Sequence, residues 1–234
     1  MEAVIMAGGE GRRLRPYTHI IPKPLVPVGD KAILEIIMDQ LVKRGFTKIY
    51  LAVGHKSDYI KAFIDNKEKY KGKVFLSYEK IPLGTAGPIK LLEGQLKGDF
   101  LVINGDTLSD IDYRDLLNKH KLSKKIATIA IFQKETKIDL GIVRTDDKKD
   151  IARYIEKPTF KNFVSTGIYA FSPEVFTHIK ENEAIGFPDL VKRMMGNGHK
   201  VGTYHLKGTW MDLGRFEEFD KANKFYENNK SKFE

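Results

Sequence analysis

Residues 8–16 read Gly8-Gly9-Glu10-Gly11-Arg12-Arg13-Leu14-Arg15-Pro16. Glycines let backbone N–H groups approach phosphate oxygens, and arginines neutralise a polyanion through forked hydrogen bonds. Shortly after, Pro22-Lys23-Pro24 sets one lysine between two stiff residues, so that its ammonium could hold a phosphate. Two familiar phosphate loops fail. The Gly72-Lys73 pair is followed by Val74 rather than Ser or Thr, and Leu14 stands where a dinucleotide fingerprint needs its third glycine. Taken alone, the first loop is equally an ordinary tight turn, and Lys23 a solvated lysine in a proline-bounded turn.

Such a loop meets a ligand only if it leaves the carboxyl end of a strand in an open parallel sheet. The apolar run Ala3 to Ala7 is continuous, as in a strand buried on both faces. Asp30 is expected to cap a helix over 31–44, with Ile33, Leu34, Ile37, Met38 and Leu41 inward and Gly45 closing it. Strands follow at Lys48–Val53, Val74–Tyr78 and Phe100–Ile103. Between them lie a short helix capped by Ser57, with Tyr59, Ile60, Phe63 and Ile64 inward, and a helix over 84–96. Strands alternating with helices indicate right-handed crossovers and a doubly wound, mostly parallel α/β sheet. From Ile126 the rhythm changes. Strands at 126–132, 140–145, 151–156 and 164–171 with short connections suggest added mixed strands. Helices at 173–179 and 187–195, a strand at 200–206 and a helix from Arg215 to about Asn228 complete the reading.

Composition narrows the function classes. The 234 residues are 41% hydrophobic and 30% charged, which fits a globular chain and excludes disorder as its main state. With no cysteine, disulfides, thiolate metal sites and a Cys nucleophile are excluded. The six histidines show no HExxH spacing, and no Gly-x-Ser-x-Gly occurs. No apolar run approaches the 18 or so residues of a membrane span, so a soluble, cytoplasmic protein without membrane partners is expected. The formal charge of +9 raises nucleic acid as a partner. Lysines such as Lys119, Lys121, Lys124, Lys125, Lys148 and Lys149 are scattered rather than interleaved with stacking aromatics, so no nucleic-acid partner is expected.

The glycine–arginine loop and Pro22-Lys23-Pro24 belong to a longer ordered set. It continues through Pro82-Leu83-Gly84-Thr85-Ala86-Gly87, Asn104-Gly105-Asp106, Glu156-Lys157-Pro158, Ser165-Thr166-Gly167 and Trp210-x-Asp212-x-Gly214. Over residues 1 to 215 this set resembles the sugar-1-phosphate nucleotidyltransferases. Leu83-Gly84-Thr85-Ala86-Gly87-Pro88 is most similar to the mannose-1-phosphate guanylyltransferase group. The resemblance implies a Rossmann-like, glycosyltransferase-A-like fold in one domain over 1–234. Its nucleotide-binding half would cover about 1–110, its sugar-phosphate half about 111–234, and no residues remain for the β-helix that many relatives append. Arg12 stands where relatives often carry Thr or Ser.

The implied reaction joins a nucleoside triphosphate to a sugar 1-phosphate and releases pyrophosphate. Its nucleophile is already ionised, so catalysis needs alignment and charge neutralisation rather than a general base. The resemblance makes Arg13, Lys23, Asp106 and Asp212 catalytic, with Asp106 and Asp212 holding Mg²⁺. It assigns the nucleotide to Ala7, Gly8, Gly9, Gly11, Arg12, Arg13, Lys23, Glu79, Pro82, Gly84, Thr85, Asn104, Gly105 and Asp106. The sugar phosphate falls to Gly141, Glu156, Lys157, Thr166 and Asp212. Without the resemblance, Gly105-Asp106-Thr107 is a plain turn, Asp212 a helix cap, and Glu156-Lys157 a strand-end charge pair. Guanine presents two adjacent donors that a carboxylate such as Glu79 could accept, which favours GTP with mannose 1-phosphate or a related aldose 1-phosphate. Uridylyl or cytidylyl transfer to another sugar phosphate or to phosphocholine stays open, as do a catalytically silent regulatory subunit and a homodimer.

Overall fold

The computed structural model describes residues 1–214 and 216–233. Strand β1 (Glu2–Met6) leads through the glycine–arginine loop to a hairpin of β2 (Pro27–Val28) and β3 (Lys31–Ala32). Helix α1 (Ile33–Lys43), β4 (Lys48–Val53), α2 (Ser57–Asp65), β5 (Val74–Tyr78), β6 (Phe100–Asn104), β7 (Thr107–Ser109) and α3 (Tyr113–Ser123) follow. The second half contributes β8 (Ala127–Lys137), β9 (Ile142–Thr145), β10 (Ile151–Ile155), β11 (Thr159–Phe171), α4 (Phe187–Gly196), β12 (Val201–His205), β13 (Trp210–Asp212) and α5 (Phe216–Asn228).

Seven strands form the central sheet in the order β12-β8-β11-β6-β1-β4-β5. The pairs β1–β4, β4–β5, β1–β6 and β8–β12 are parallel, whereas β11 runs antiparallel to both β6 and β8. The chain winds from β1 outward to β5, then returns to β6 on the other side of β1. That reversal opens a crevice beyond the carboxyl ends of β1 and β6, the place where open α/β sheets bind ligands.

Alternating residues of β1 serve two cores. Ala3 and Ile5 pack with Leu34, Ile37, Leu41 and Leu117 on one face, and Val4 packs with Ile89, Phe100, Phe171 and Leu190 on the other. A strand apolar at every position is what such double coverage demands. The five residues expected inward on α1 are buried. Gly45, at φ 84°, ends α1 with N–H bonds from Gly45 to Val42 O and from Phe46 to Leu41 O, the pairing that a left-handed residue permits.

Several local expectations are corrected. Asp30 does not cap α1, whose N-cap is Ala32. Instead Gly29 and Asp30 turn the β2–β3 hairpin, and Asp30 pairs with Lys230 at 3.0 Å. Ser57 is the first helical residue of α2 after a left-handed Lys56, and Tyr59 is 52% exposed, while Ile60 alone of that face is fully buried. The helix expected over 84–96 is a 3-10 segment at Gly87–Leu92, because left-handed Gly84 and Gly94 interrupt it on both sides. Residues 173–178 are likewise 3-10. Arg215, the expected start of the last helix, lies outside the described residues. Helix α3 went unread although Asp112 caps it by accepting from the N–H groups of Arg114 and Asp115.

Strands β8 and β11 extend past the sheet as an arm. Their ladder runs from Thr159 opposite Lys137 to Ser165 opposite Ile131, then resumes with Tyr169 opposite Ile129. Thr166, Gly167 and Ile168 thus face Ala130 alone, a bulge in which Gly167 takes φ 75°. The β9–β10 hairpin joins the arm's outer ends. Among the described residues no helix is long and apolar enough to cross a membrane.

One charge network ties α1 to the loop at 66–71. Glu35, 7% exposed, accepts from Lys67 at 2.7 Å and Lys69 at 2.9 Å, while Asp39 accepts from Tyr70 Oη at 2.7 Å. Burial pushes the Glu35 carboxyl up, but the Lys67 and Lys69 hydrogen bonds outweigh it and hold the group below the ordinary carboxylate range. A depressed folded-state value contributes stability that is present above that range and is lost as pH falls through it. Glu35→Gln is therefore expected to lower unfolding stability by about 1–2 kcal/mol at neutral pH, because Lys67 loses its carboxylate partner while Lys69 keeps Asp39. Urea denaturation should show the gap closing as pH falls through the depressed folded-state value, where the wild-type carboxyl is itself protonated.

Candidate active site

The crevice between β1 and β6 holds a cavity of about 420 Å³. Its floor is the end of β1, where Ala7, Gly8 and Gly9 replace side chains with backbone. A Cβ on Gly8 would lie 2.6 Å from Glu79 Oε1, so only glycine lets that carboxylate settle against the loop. Glu79 follows β5, is half-buried, and accepts the Leu83 N–H at 3.2 Å. Burial raises its pKa, and the Leu83 hydrogen bond opposes the rise.

Pro82, Gly84 and Thr85 form the adjoining wall. Gly84 is left-handed and backs onto the Ile185 carbonyl, which would stand 2.7 Å from an added Cβ. The Thr85 hydroxyl accepts the Phe187 N–H at 3.2 Å, tying this wall to the first residue of α4. At the end of β6, Asn104, Gly105 and Asp106 complete the lining. Gly105 donates to Met6 O at 3.0 Å, and a Cβ there would meet that oxygen at 2.7 Å, so the two strand ends lie in contact.

Lys23 enters the same cavity from the 3-10 turn Lys23–Leu25, with Pro22 before it and Pro24 inside it. Its Nζ pairs with Asp106 Oδ2, and the two side chains are only 12% and 23% exposed. Left-handed Gly11 packs on Lys23 Cβ and Thr18, and its carbonyl accepts the Thr18 hydroxyl at 2.9 Å. Gly11 thus shapes the loop that covers Lys23 and does not line the cavity.

The β7–β13 ladder brings the second carboxylate in. Asp212 stands opposite Thr107, and the Leu213 N–H donates to Asp106 O at 3.0 Å. Residues 106 positions apart in the chain are therefore neighbours. Asp212 Oδ1 and the Arg13 guanidinium both lie about 3 Å from where a Cβ on Gly214 would sit, at 3.0 Å and 2.9 Å. Arg13 and Asp212 share a second cavity of about 430 Å³ with Phe132, Lys134 and Trp210. Trp210 packs on Phe132 with ring centroids 5.8 Å apart.

Two expected contacts take other partners. Arg12 donates to Glu10 at 2.6 Å with its side chain 73% exposed, and it lines neither cavity. The Thr166 hydroxyl donates to Ala130 O at 2.8 Å and is buried, while its carbonyl accepts the Trp210 indole N–H at 2.8 Å. Thr166 thus fixes the arm's bulge and Trp210 rather than presenting a hydroxyl. Gly141, Glu156 and Lys157 do come together on the β9–β10 hairpin. A Cβ on Gly141 would lie 3.1 Å from Glu156 Oε2, which accepts from Tyr154 Oη at 3.1 Å. Lys157 adopts φ 42° beside them, more than half exposed. Sequence reasoning missed His55, Pro24 and Pro88 in the first cavity and Phe132 and Lys134 in the second. Pro24 and Pro88 close motifs already read, whereas His55, Phe132 and Lys134 belong to none and are placed only by the fold.

A 35% identity over 226 residues relates the chain to "Mannose-1-phosphate guanyltransferase beta-A" of Xenopus laevis, covering 94% of this chain and 62% of that protein. The chain thus spans less than two thirds of that relative. Among solved structures, a Bacillus anthracis protein assigned as a glucose-1-phosphate thymidylyltransferase, in complex with a sucrose, superposes with a TM-score of 0.76 at 25% identity, covering 96% of this chain and 94% of that one. HddC from Yersinia pseudotuberculosis, complexed with GMP-PN, gives a TM-score of 0.74 at 25% identity, covering 96% and 99%. The Nucleotidyl transferase family profile matches residues 2–229, and with the crevice, its glycine-built floor and its paired basic and acidic groups already in view, the chain belongs to the nucleotidyl transferase family.

Proposed function

We propose that this chain transfers a guanylyl group from GTP to an aldose 1-phosphate, mannose 1-phosphate or a relative of it, releasing pyrophosphate. One observation carries the reading. One pocket at the sheet's switch point holds both a half-buried carboxylate, Glu79, and the Lys23–Asp106 pair, and the β7–β13 ladder sets Asp212 beside the backbone of Asp106 and Thr107. The relative named as a mannose-1-phosphate guanyltransferase and the GMP-PN complex of a structural neighbour support guanine. The B. anthracis neighbour favours a second reading, thymidylyl transfer on the same scaffold.

In the proposed reaction, an oxygen of the sugar 1-phosphate forms a bond to the α-phosphorus as the bond to the β-phosphate oxygen breaks. Pyrophosphate leaves and no proton need move. Backbone N–H groups of the Gly8–Gly9 loop would cradle the triphosphate. Lys23 and Arg13 would neutralise charge that builds on the departing pyrophosphate, and Lys157 and Glu156 would grip the acceptor's phosphate and hydroxyls. The donor set at Asp106 and Asp212 fits Mg²⁺, which takes one or two carboxylates and completes its shell with phosphate and water. Among the described residues no cluster of three or more His, Cys, Asp or Glu groups offers a protein-only cage. When bound there, Mg²⁺ would supply charge neutralisation between the two anions.

Glu79 would accept both donors of the guanine edge, which its ionised form does best. Its pKa is raised, so GTP affinity should be highest at neutral pH and fall as pH drops through that value. Glu79→Gln should lower kcat/KM for GTP about tenfold or more and flatten that pH dependence, with little change for UTP. Equal losses for both triphosphates would remove the base assignment. Asp106→Asn is expected to reduce pyrophosphate release at least about 100-fold with the Tm retained. Near-normal turnover in that variant, or none from the wild type with any triphosphate and aldose 1-phosphate in the presence of magnesium, would overturn the proposed reaction.

A further inference from the structure

The second cavity contains a charge that the proposed reaction does not use. Arg13 and Asp212 face each other across Gly214, and Glu218 lies 3.5 Å from Lys221. Lys134, in the same cavity, makes no hydrogen bond or ion pair among the described residues.

Strand register fixes where Lys134 stands. Phe132 lies opposite Val164 and Lys134 opposite Asn162, so both side chains share one face of β8. On the sheet side of the bulge, Ile168 pairs with Ile103, next to the Asn104-Gly105-Asp106 turn. Lys134 is therefore the farther of the two from Asp106, outward along the arm. Phe132, packed against Trp210 at an interplanar angle of 41°, comes between, and the Trp210 indole is held in place by its bond to Thr166 O at 2.8 Å. From Asp212 outward, the cavity offers an arginine beside it, a fixed aromatic pair, then a free ammonium. An aromatic face suits the C–H face of a sugar ring, and an unpaired ammonium suits an anion.

We infer that the acceptor carries an anionic substituent remote from its 1-phosphate, a carboxylate or a second phosphate, and that Lys134 reads it while the ring lies on Trp210 and Phe132. This rests on the proposed acceptor site and narrows its substrate class. Trp210 is the chain's sole tryptophan, so its fluorescence reports occupancy without turnover. The protein is titrated with mannose 1-phosphate, mannuronic acid 1-phosphate and mannose 1,6-bisphosphate, while pyrophosphate release with GTP is measured in parallel. At least one of the two doubly anionic acceptors should bind about tenfold tighter than mannose 1-phosphate, and which of them does so identifies the anion. Lys134→Met should bring that ratio close to one, and Lys134→Arg should keep most of it. Equal affinities for all three acceptors in the wild type, or a ratio unmoved by Lys134→Met, overturns this inference even if pyrophosphate is released. Absence of both a fluorescence response and pyrophosphate release overturns the acceptor site itself.

Discussion

Gathering charged side chains at one point of the fold without letting like charges repel is the constraint on which this site depends. Neutralising groups must converge on one point, yet like charges gathered there would repel each other in the folded protein. Here the opposing signs are interleaved: Lys23 sits on Asp106, and the Arg13 guanidinium and Asp212 flank Gly214. The Lys23–Asp106 pair can therefore sit at low exposure without leaving an ion stranded, while Arg13 and Asp212 stay open to solvent. The sheet's reversal at β1 and β6 supplies the point of convergence, and the short β7–β13 ladder delivers the distant carboxylate to it.

Glycine carries much of the remaining work by letting backbone replace side chain. Gly8 and Gly105 are flat against Glu79 and Met6 respectively, and Gly84 against Ile185. A methyl group at Gly84 or Gly105 would meet backbone that cannot easily yield, and one at Gly8 would displace the Glu79 carboxylate. The pocket is thus shaped less by what lines it than by how closely its walls approach.

The doubly wound half was legible because its strands are apolar at every position and its helices keep one inward stripe. Val4, Leu51 and Val102 could belong only to a sheet covered on both sides. The glycine–arginine loop and the acidic turns were legible as an ordered set of motifs, and the fold places Gly8, Lys23, Glu79 and Asp106 in one cavity. What escaped was set by contacts that no motif announces. Asp30 reads as a helix cap, but the β2–β3 hairpin claims its backbone and Lys230 its side chain. Arg12 reads as a phosphate ligand, yet Glu10, two residues away, is a nearer partner. Thr166 reads as a hydroxyl donor to substrate, but the bulge turns it toward Ala130. Lys134 has no motif at all, and its meaning comes from the pairing of β8 with β11 and of Trp210 with Phe132.

The bulge at Thr166–Ile168 separates two mechanical regimes. Inward of it, β11 is locked between β6 and β8; outward, the arm is held by its own ladder, the β9–β10 hairpin and the packing of Phe132 on Trp210 and Phe163 on His205. No fully buried core residue lies between 132 and 165, so insertions or replacements out there spare the packing of the seven-stranded sheet, and the two parts of the molecule can change independently.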